Sequence, residues 1–298
     1  SPLEIYFPTQ ARGGILPLIE GYRSATDQES YPTRDWGHLS GSIPWLGQAF
    51  TSFTEFSLAN MTQILSSSPT AMQSLAVSHF ESVLLLNRGD HFLMRPLPTP
   101  VQWSPLFGMG ISDFNGDGHE DLVGSQNFYG VSERDSRQDA GEGFLLLGKG
   151  DGTFEWVDST LSGIDLPGEG RGLAVADFNK DHRPDFVAIQ RLSQTRVWEN
   201  QGGKPGITLE LTGTGGNLQA IGTRVRWIYD DGSKGPMREI HLGEGYWSQS
   251  STRPILGMAK EPRELEIHWP GGISEIIALT QEHLKRRLMV LAHPSRLP

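Results

Sequence analysis

Apolar residues change their spacing along the chain, and the changes predict four segments. Residues 1–43 combine strand and loop. Over residues 44–78 apolar side chains recur near helical spacing, which predicts two or three short helices and one or two further helical turns at 71–77. Residues 79–203 and 204–298 contain short apolar runs bounded by turn residues, which are typical of strands.

The first and last segments contain apolar runs that predict particular strands. The run at 15–19 includes Pro17, which favours an edge strand or a bulge. In the last segment, apolar and polar residues alternate along 224–229, as expected for a half-buried strand of a small β domain. The strands predicted in that domain are 207–211, 224–229, 237–242, 265–269 and 274–279.

A loop between two apolar runs carries oxygen-bearing side chains at alternate positions. Asp113, Asn115 and Asp117 alternate, a glycine permits a sharp turn, and Asp121 closes the loop. Calcium suits such a loop because it accepts roughly 6–8 oxygen ligands in flexible geometry. The flanking runs predict strands, and the twelfth loop position is Gly124 rather than glutamate, so an EF-hand is excluded.

The same spacing recurs further along the chain and predicts a second calcium loop. Its side-chain ligands are Asp177, Asn179, Asp181 and Asp185. His119 is expected to offer its backbone carbonyl rather than its ring, and Arg183 stands at the same place in the second loop. His182 replaces the glycine, so the second turn costs more and its site is expected to be weaker or to hold water. A turn without metal is the alternative for both loops.

An apolar hairpin with a glycine-rich turn accompanies the acidic loops. It occurs at 82–92 and 143–154, and a partial copy lies at 195–203. Self-similarity at about 60 residues predicts one small sheet per repeat, and hence the blades of a β-propeller. Residues 1–43 are interpreted as the strand-and-loop remnant of a further blade.

The composition excludes several classes of protein. The net charge of −10 argues against a nucleic-acid backbone as partner. No apolar run approaches the ~20 residues that span a bilayer. With no cysteine among 298 residues, a disulfide framework and a thiolate zinc site are excluded. Calcium loops favour a calcium-rich surrounding, and so an extracellular, cell-surface or periplasmic location.

The acidic loop and hairpin together resemble a known repeat. The segments ISDFNGDGHEDLVGSQN at 111–127 and GFLLLGKGDGTF at 143–154 are similar to the FG-GAP/VCBS repeat of integrin-type β-propellers. The resemblance implies calcium binding in the loops at 113–121 and 177–185. The departure at His182 weakens this implication for the second loop.

Residues 217–277 resemble the ASPIC/UnbV domain. The residues that carry this resemblance are Asn217, 220–222, Gly245, Tyr246, 248–250, Trp269, Pro270 and Gly272. The combination is that of the cartilage acidic protein-like family, and the helical stretch at 31–65 fits an insertion in its large bacterial members.

The expected architecture is mainly β: a partial integrin-type propeller with a short helical insertion, followed by a small β domain. A closed propeller needs roughly 4–8 blades, and the repeats here supply three or four at most. We therefore expect the C-terminal part of a larger propeller, completed by an upstream segment or another protein chain.

The favoured functional hypothesis is a non-enzymatic, calcium-binding extracellular protein that serves protein–protein interaction or assembly. Tyr246 and Trp247 are the candidate partner-binding residues, because they are adjacent aromatics in a glycine-flanked loop. The alternative is a glycan-active hydrolase or a glycan-binding module. The hydrolase would need two convergent carboxylates, for which Glu239, Glu244 and Glu266 are the candidates. A third possibility is a fixed subunit of a larger extracellular or membrane-associated assembly.

Overall fold

The computed structural model of the chain describes residues 3–10, 16–133 and 135–296. Contacts divide the chain into an N-terminal unit, Ser1–Glu81, and a C-terminal unit, Ser82–Pro298. This division differs from the four predicted segments. The strand-and-loop segment and the helical segment belong to one unit, and the repeats belong with the last β domain to the other.

The N-terminal unit contains one antiparallel sheet. Its strands are β1 Leu3–Pro8, β2 Ile19–Arg23, β3 Ser30–Pro32 and β4 Met72–Val77, in the order β3-β2-β1-β4. Three consecutive strands and a fourth that returns beside the first give a Greek-key order. The prediction of helical turns at 71–77 is wrong, because β4 pairs with β1 along its whole length. Seven residues are too few for periodicity to separate strand from helix.

Four short helices lie between β3 and β4. They are α1 Trp36–Ser42, α2 Pro44–Ala49, α3 Phe53–Ser57 and α4 Met61–Ser66. Side chains of Asp35, Ser52 and Asn60 accept backbone hydrogen bonds at the starts of α1, α3 and α4, which satisfies otherwise unpaired N–H groups. The helices begin before the predicted residue 44 and end before 71.

The core of this unit joins the helices to β2. Ile19, Leu46 and Ile64 are fully buried in it. The predicted apolar run at 15–19 is corrected: Leu16 and Leu18 are exposed, and only Ile19 enters a strand. Ile15 lies outside the described residues.

The C-terminal unit begins with a blade region, residues 82–203. A hairpin of β5 Val83–Asn87 and β6 Phe92–Pro96 is followed by helix α5 Thr99–Gln102. A four-stranded antiparallel meander follows, formed by β7 Leu106–Ser112, β8 Asp121–Gln126, β9 Phe144–Gly148 and β10 Phe154–Val157. After helix α6 Ser159–Ser162, strands β11 Gly170–Ala176, β12 Asp185–Gln190 and β13 Arg196–Trp198 form a three-stranded sheet.

The two blade sheets pack through their first strands, β7 and β11. A Cβ on Gly110 would lie 2.5 Å from Val175 Cγ2 and 2.7 Å from Leu173 Cδ2, so glycine permits this approach. Phe114, Leu173 and Val175 are among the buried residues of the shared core. The mainly β class is confirmed, but the described strands do not close a ring of blades.

The rest of this unit is a C-terminal β domain, residues 204–298. Its strands and helix are β14 Ile207–Thr212, β15 Arg224–Tyr229, β16 Arg238–Glu239, β17 Ile255–Leu256, β18 Pro262–His268, β19 Ser274–Ala278, α7 Gln281–Arg286 and β20 Leu288–Ala292. They form two sheets, β17-β14-β20 and β16-β15-β18-β19. The predicted strand at 237–242 shortens to β16, and the parallel strand β20 was not predicted.

The core of the C-terminal β domain draws on both sheets. Leu209, Val225, Leu265 and Ile267 are fully buried there, and Trp227 packs with them. The described residues include no helix of the length and apolarity that a membrane crossing requires.

Glu266 on β18 provides a test of this sheet. It accepts hydrogen bonds from Arg226 and Lys234, and the hydrogen bond from Arg226 is the main cause that lowers its pKa to about 2. A depressed pKa stabilises the fold above the unfolded value and loses that contribution as pH falls. We expect Glu266→Gln to cost about 1–3 kcal/mol at pH 7, and the cost to shrink as pH falls from about 4.5 towards 2.

Thermal melts across pH check this prediction. Glu282→Gln is the control, because its ion pair with Arg286 is exposed on α7 and is worth about 0–1 kcal/mol. Equal melting temperatures of Glu266→Gln and the parent protein at pH 7 would contradict the expected role of Glu266.

Candidate metal centre

The first acidic loop, residues 113–121, folds around the carboxylate of Asp113. Asp113 Oδ1 accepts hydrogen bonds from the N–H groups of Gly116 at 2.7 Å and Asp117 at 3.1 Å, and Oδ2 accepts one from Gly118 at 2.7 Å. Gly116 and Gly118 have φ of 73° and 90°, a region that favours glycine. The sequence therefore folds this loop through one carboxylate and two glycines.

Asp121 ties the same loop to the next strands. Its Oδ2 accepts hydrogen bonds from Phe114 N at 2.7 Å and Asn115 N at 3.2 Å, and its Oδ1 accepts one from Gly148 N at 2.8 Å. Asp121 is 1% exposed, and burial raises its pKa to about 7. This carboxylate therefore links the start of the loop to the end of β9.

The middle of the loop is closed by short-range hydrogen bonds. Asn115 Nδ2 donates to Asp117 Oδ2 at 2.9 Å, and His119 N donates to Asp117 Oδ1 at 2.9 Å. The His119 ring lies against Gly150, in the turn between β9 and β10. The ring is thus occupied in packing, and the role of the His119 carbonyl as a ligand stays a prediction.

Basic side chains near the first loop, Arg238 and Lys149, act on its aspartates only at a distance. Within the described ranges, Asp113, Asp117 and Asp121 make no ion pair. Burial raises the pKa of Asp113 as well as that of Asp121. Buried carboxylates without a directly paired counter-charge are costly, so a cation bound in the loop would stabilise it.

The donor set of the first loop fits a calcium ion. All predicted side-chain donors are oxygens, and each carboxylate offers about four lone pairs. Asp113 uses three of these for backbone N–H groups, so capacity remains. Across the described residues, no three acidic, histidine or cysteine side chains form a metal-binding group. The first loop therefore fits a calcium ion through the type and charge of its donor atoms, rather than through side chains already gathered around one point.

The second acidic loop, residues 177–185, repeats these hydrogen bonds. Asp177 accepts them from Asp181 N at 3.1 Å and His182 N at 2.9 Å. Asp185 accepts them from Phe178 N at 2.9 Å and Asn200 N at 2.8 Å, and burial raises its pKa. Asn179 Nδ2 donates to Asp181 Oδ2 at 3.2 Å, as Asn115 does in the first loop. The two loops share one fold.

His182 and Arg183 distinguish the second loop. His182 has φ of 64°, the left-handed conformation predicted to cost more than glycine. Arg183 Nη1 lies 2.8 Å from Asp181 Oδ2, and Nε donates to Gly203 O. Burial raises the pKa of Asp181, but the hydrogen bonds and charge from Arg183 give a net lowering.

The side-chain role of Arg183 was missed by sequence analysis, although a basic residue two positions after an acidic ligand is a usable signal. Because this guanidinium neutralises Asp181, the second loop has a smaller demand for a cation.

The C-terminal β domain contacts both acidic loops. Arg238 on β16 forms an ion pair with Glu120, with Nε donating to Oε1 at 3.0 Å, and Arg238 is largely buried. A Cβ on Gly118 would lie 2.6 Å from Ala259 N. At the second loop, His182 Nδ1 lies 2.8 Å from Thr208 Oγ1. Sequence analysis predicted none of these contacts.

An edge loop, residues 244–251, lies along the free edges of β7 and β11. Side-chain oxygens of Ser248 and Ser250 accept hydrogen bonds from Leu173 N at 2.9 Å and Val175 N at 3.1 Å. Tyr246 N donates to the carbonyl of Phe107 at 3.1 Å. The loop thus forms hydrogen bonds with backbone groups at these two strand edges, which no neighbouring strand of the described residues pairs.

The predicted partner-binding residues stand in this edge loop. Tyr246 packs edge-on against Phe107, with ring centroids 5.5 Å apart, and stacks on Trp247 at 5.6 Å. Trp247 is 86% exposed and has φ of 49°. A large exposed aromatic held in a strained conformation is a candidate contact for a partner.

Two of the three carboxylates named for the hydrolase alternative line one cleft, and the third lies outside it. Glu239 and Glu244 line a cleft of about 240 Å³ between the first blade strands and the C-terminal β domain. Glu266 is engaged with Arg226 and Lys234. The structure therefore brings two of the three candidates to one cleft.

Comparisons with known proteins agree with this architecture. Residues 113–188 match the model of the FG-GAP-like repeat, and residues 213–292 match that of the ASPIC and UnbV domain. The chain combines an FG-GAP-like repeat with an ASPIC/UnbV domain. The resemblances of the sequence to the FG-GAP repeat and to the ASPIC/UnbV domain are therefore confirmed. The matched FG-GAP-like repeat includes both acidic loops.

A relative supports the same assignment. Cartilage acidic protein 1 of Xenopus tropicalis is 47% identical over 47 residues, which are 16% of this chain and 7% of that protein. The match thus spans a small part of the relative's length. FG-GAP-like repeats and ASPIC/UnbV domains are typical of β-propeller-like protein-interaction modules.

Arg238 provides a test of the contact between the ASPIC/UnbV domain and the FG-GAP-like repeat. Arg238→Gln leaves Glu120 without its partner, and because the Glu120 side chain is 31% exposed, we expect a cost of about 1–3 kcal/mol. We expect a correspondingly lower free energy of unfolding in urea. Arg286→Gln is the control, because the Arg286–Glu282 pair is exposed. Equal stability of the two variants would contradict a buried link.

Proposed function

We propose that this chain is a non-enzymatic, calcium-stabilised protein-interaction module that works outside the cell. The observation that carries the calcium proposal is the set of three aspartates, Asp113, Asp117 and Asp121, without an ion-pair partner in the described residues. A divalent cation supplies the missing charge and holds the loop between β7 and β8.

The ligands proposed for the first loop are the predicted ones. Asp113, Asn115, Asp117 and Asp121 offer side-chain oxygens, and His119 offers its backbone carbonyl. The corresponding ligands of the second loop are Asp177, Asn179, Asp181, Arg183 by its carbonyl, and Asp185. We propose weaker binding there, because the guanidinium of Arg183 repels a cation and already pairs with Asp181.

The proposed interaction surface centres on Trp247. Its exposed ring, stacked on Tyr246, offers a large rigid apolar contact of the kind that anchors protein interfaces. Another protein chain, or a larger extracellular or membrane-associated assembly, is the proposed partner. The FG-GAP-like repeat, typical of extracellular proteins, supports this location.

A non-enzymatic role is favoured over a glycan hydrolase by two observations. The cleft that contains Glu239 and Glu244 is about 240 Å³, below the roughly 300–1,000 Å³ of typical ligand pockets. Glu266 has a lowered pKa because of its hydrogen bond to Arg226, whereas a general acid needs a raised one.

Thermal melts in calcium and in a chelator test the calcium proposal. Calcium at 100 times its dissociation constant stabilises by about 2.7 kcal/mol, which corresponds to a rise of about 5–10 °C in melting temperature. Asp117→Asn keeps an oxygen for His119 N but removes the charge. We expect this variant to lose more than about half of the calcium-induced rise. In chelator it should melt slightly below the parent protein, because it also loses the hydrogen bond from Asn115 Nδ2.

Two variants serve as controls in the same experiment. Asp181→Asn is the matched change in the second loop, and it should retain most of the rise. Asp165→Asn alters an exposed aspartate outside both loops and should retain all of it. If the parent protein melts at one temperature with and without calcium, the calcium proposal is wrong.

A further inference from the structure

We infer that cation binding in the first acidic loop is coupled to docking of the ASPIC/UnbV domain through Gly257, which packs on the Asp113 carboxylate. This inference rests on the proposed calcium binding and deepens it. Gly257 is a positioning residue here: it acts on the ion through Asp113.

The contact between Gly257 and Asp113 leaves no space for a side chain. A Cβ on Gly257 would overlap the Asp113 carboxylate and lie 3.3 Å from its Cβ. Asp113 is 5% exposed and organises the loop through three backbone hydrogen bonds. The position of Gly257 therefore limits where the first loop ligand can lie.

The core of the ASPIC/UnbV domain fixes the position of Gly257. Trp227 Nε1 donates to the carbonyl of Gly257 at 3.0 Å, and Trp227 is buried. The preceding residue, Leu256, is in β17 and pairs with Ile207 on β14. Gly257 is thus held by groups of this domain, whereas Asp113 belongs to the blade.

Two neighbouring contacts also join the first acidic loop to the ASPIC/UnbV domain. Gly118, the turn glycine of the loop, approaches Ala259 so closely that a Cβ would lie 2.6 Å from Ala259 N. Glu120 pairs with Arg238 on β16. The loop is therefore held by the ASPIC/UnbV domain near its start, its middle and its end.

Coupling follows from these contacts by thermodynamic linkage. If the docked domain holds Asp113 in the position that binds the ion, undocking weakens ion binding, and ion binding favours docking by the same factor. An ion site confined to one blade would show no such dependence. The coupling is thus measurable from either side.

Calcium titration by isothermal calorimetry on the full chain tests whether the contact with the ASPIC/UnbV domain affects calcium affinity. Gly257→Ala inserts a methyl group against Asp113 without changing any charge, and we expect at least tenfold weaker calcium binding. Gly235→Ala is the matched control in the same domain, because its Cβ would meet only ordinary contacts, the nearest at 3.4 Å. Its calcium affinity should stay within twofold of the parent protein.

Amide hydrogen exchange of the unaltered chain tests whether calcium binding stabilises the docked part of the ASPIC/UnbV domain. This experiment does not depend on the folding of a variant. Calcium should slow exchange at 255–259 in the ASPIC/UnbV domain as well as at 113–121 in the loop. Exchange in β19, at the far edge of the other sheet, should not change.

The outcomes separate the two proposals. Calcium binding with slower exchange confined to 113–121, or with an unchanged affinity of folded Gly257→Ala, overturns the coupling and leaves calcium binding intact. No heat of binding and no change in exchange overturn both. Slower exchange at both segments, with the affinity loss confined to Gly257→Ala, supports the coupling.

Discussion

The burial of the Asp113 carboxylate is the constraint on which the contact between blade and C-terminal β domain depends. One buried group accepts three backbone hydrogen bonds, and the backbone of Gly257 packs against it. Burial opposes ionisation, whereas each N–H donor favours it. The loop is therefore well ordered in its backbone while its carboxylates keep an electrostatic demand that a cation would satisfy.

The two acidic loops show how one hydrogen-bonding pattern carries different electrostatics. Asp177 repeats the role of Asp113, and Asp185 repeats that of Asp121. In the second loop, however, Arg183 provides a positive charge beside Asp181. Backbone geometry and charge balance are thus set by different residues of the same motif, and a shared pattern of oxygens does not imply equal ion affinity.

The edge loop makes the ASPIC/UnbV domain part of the packing of the blades. It places hydroxyl groups of Ser248 and Ser250 against strand edges that would otherwise expose unpaired N–H groups. The same loop carries Trp247 in a strained, exposed conformation. One short segment therefore combines a structural contact with a candidate interaction surface.

The sequence by itself determined the repeats, the acidic loops, the mainly β class and the two family resemblances, because these depend on local spacing and turn chemistry. It also determined that His182 occupies a glycine position. Tertiary structure decided the strand at Met72–Val77. The apolar spacing of so few residues fits a helix as well as a strand, and pairing with β1 makes the segment a strand. It also decided the packing of Gly257 on Asp113 and the ion pair of Arg238 with Glu120. Such contacts join residues more than a hundred positions apart, and no local pattern encodes which distant surface will cover a loop.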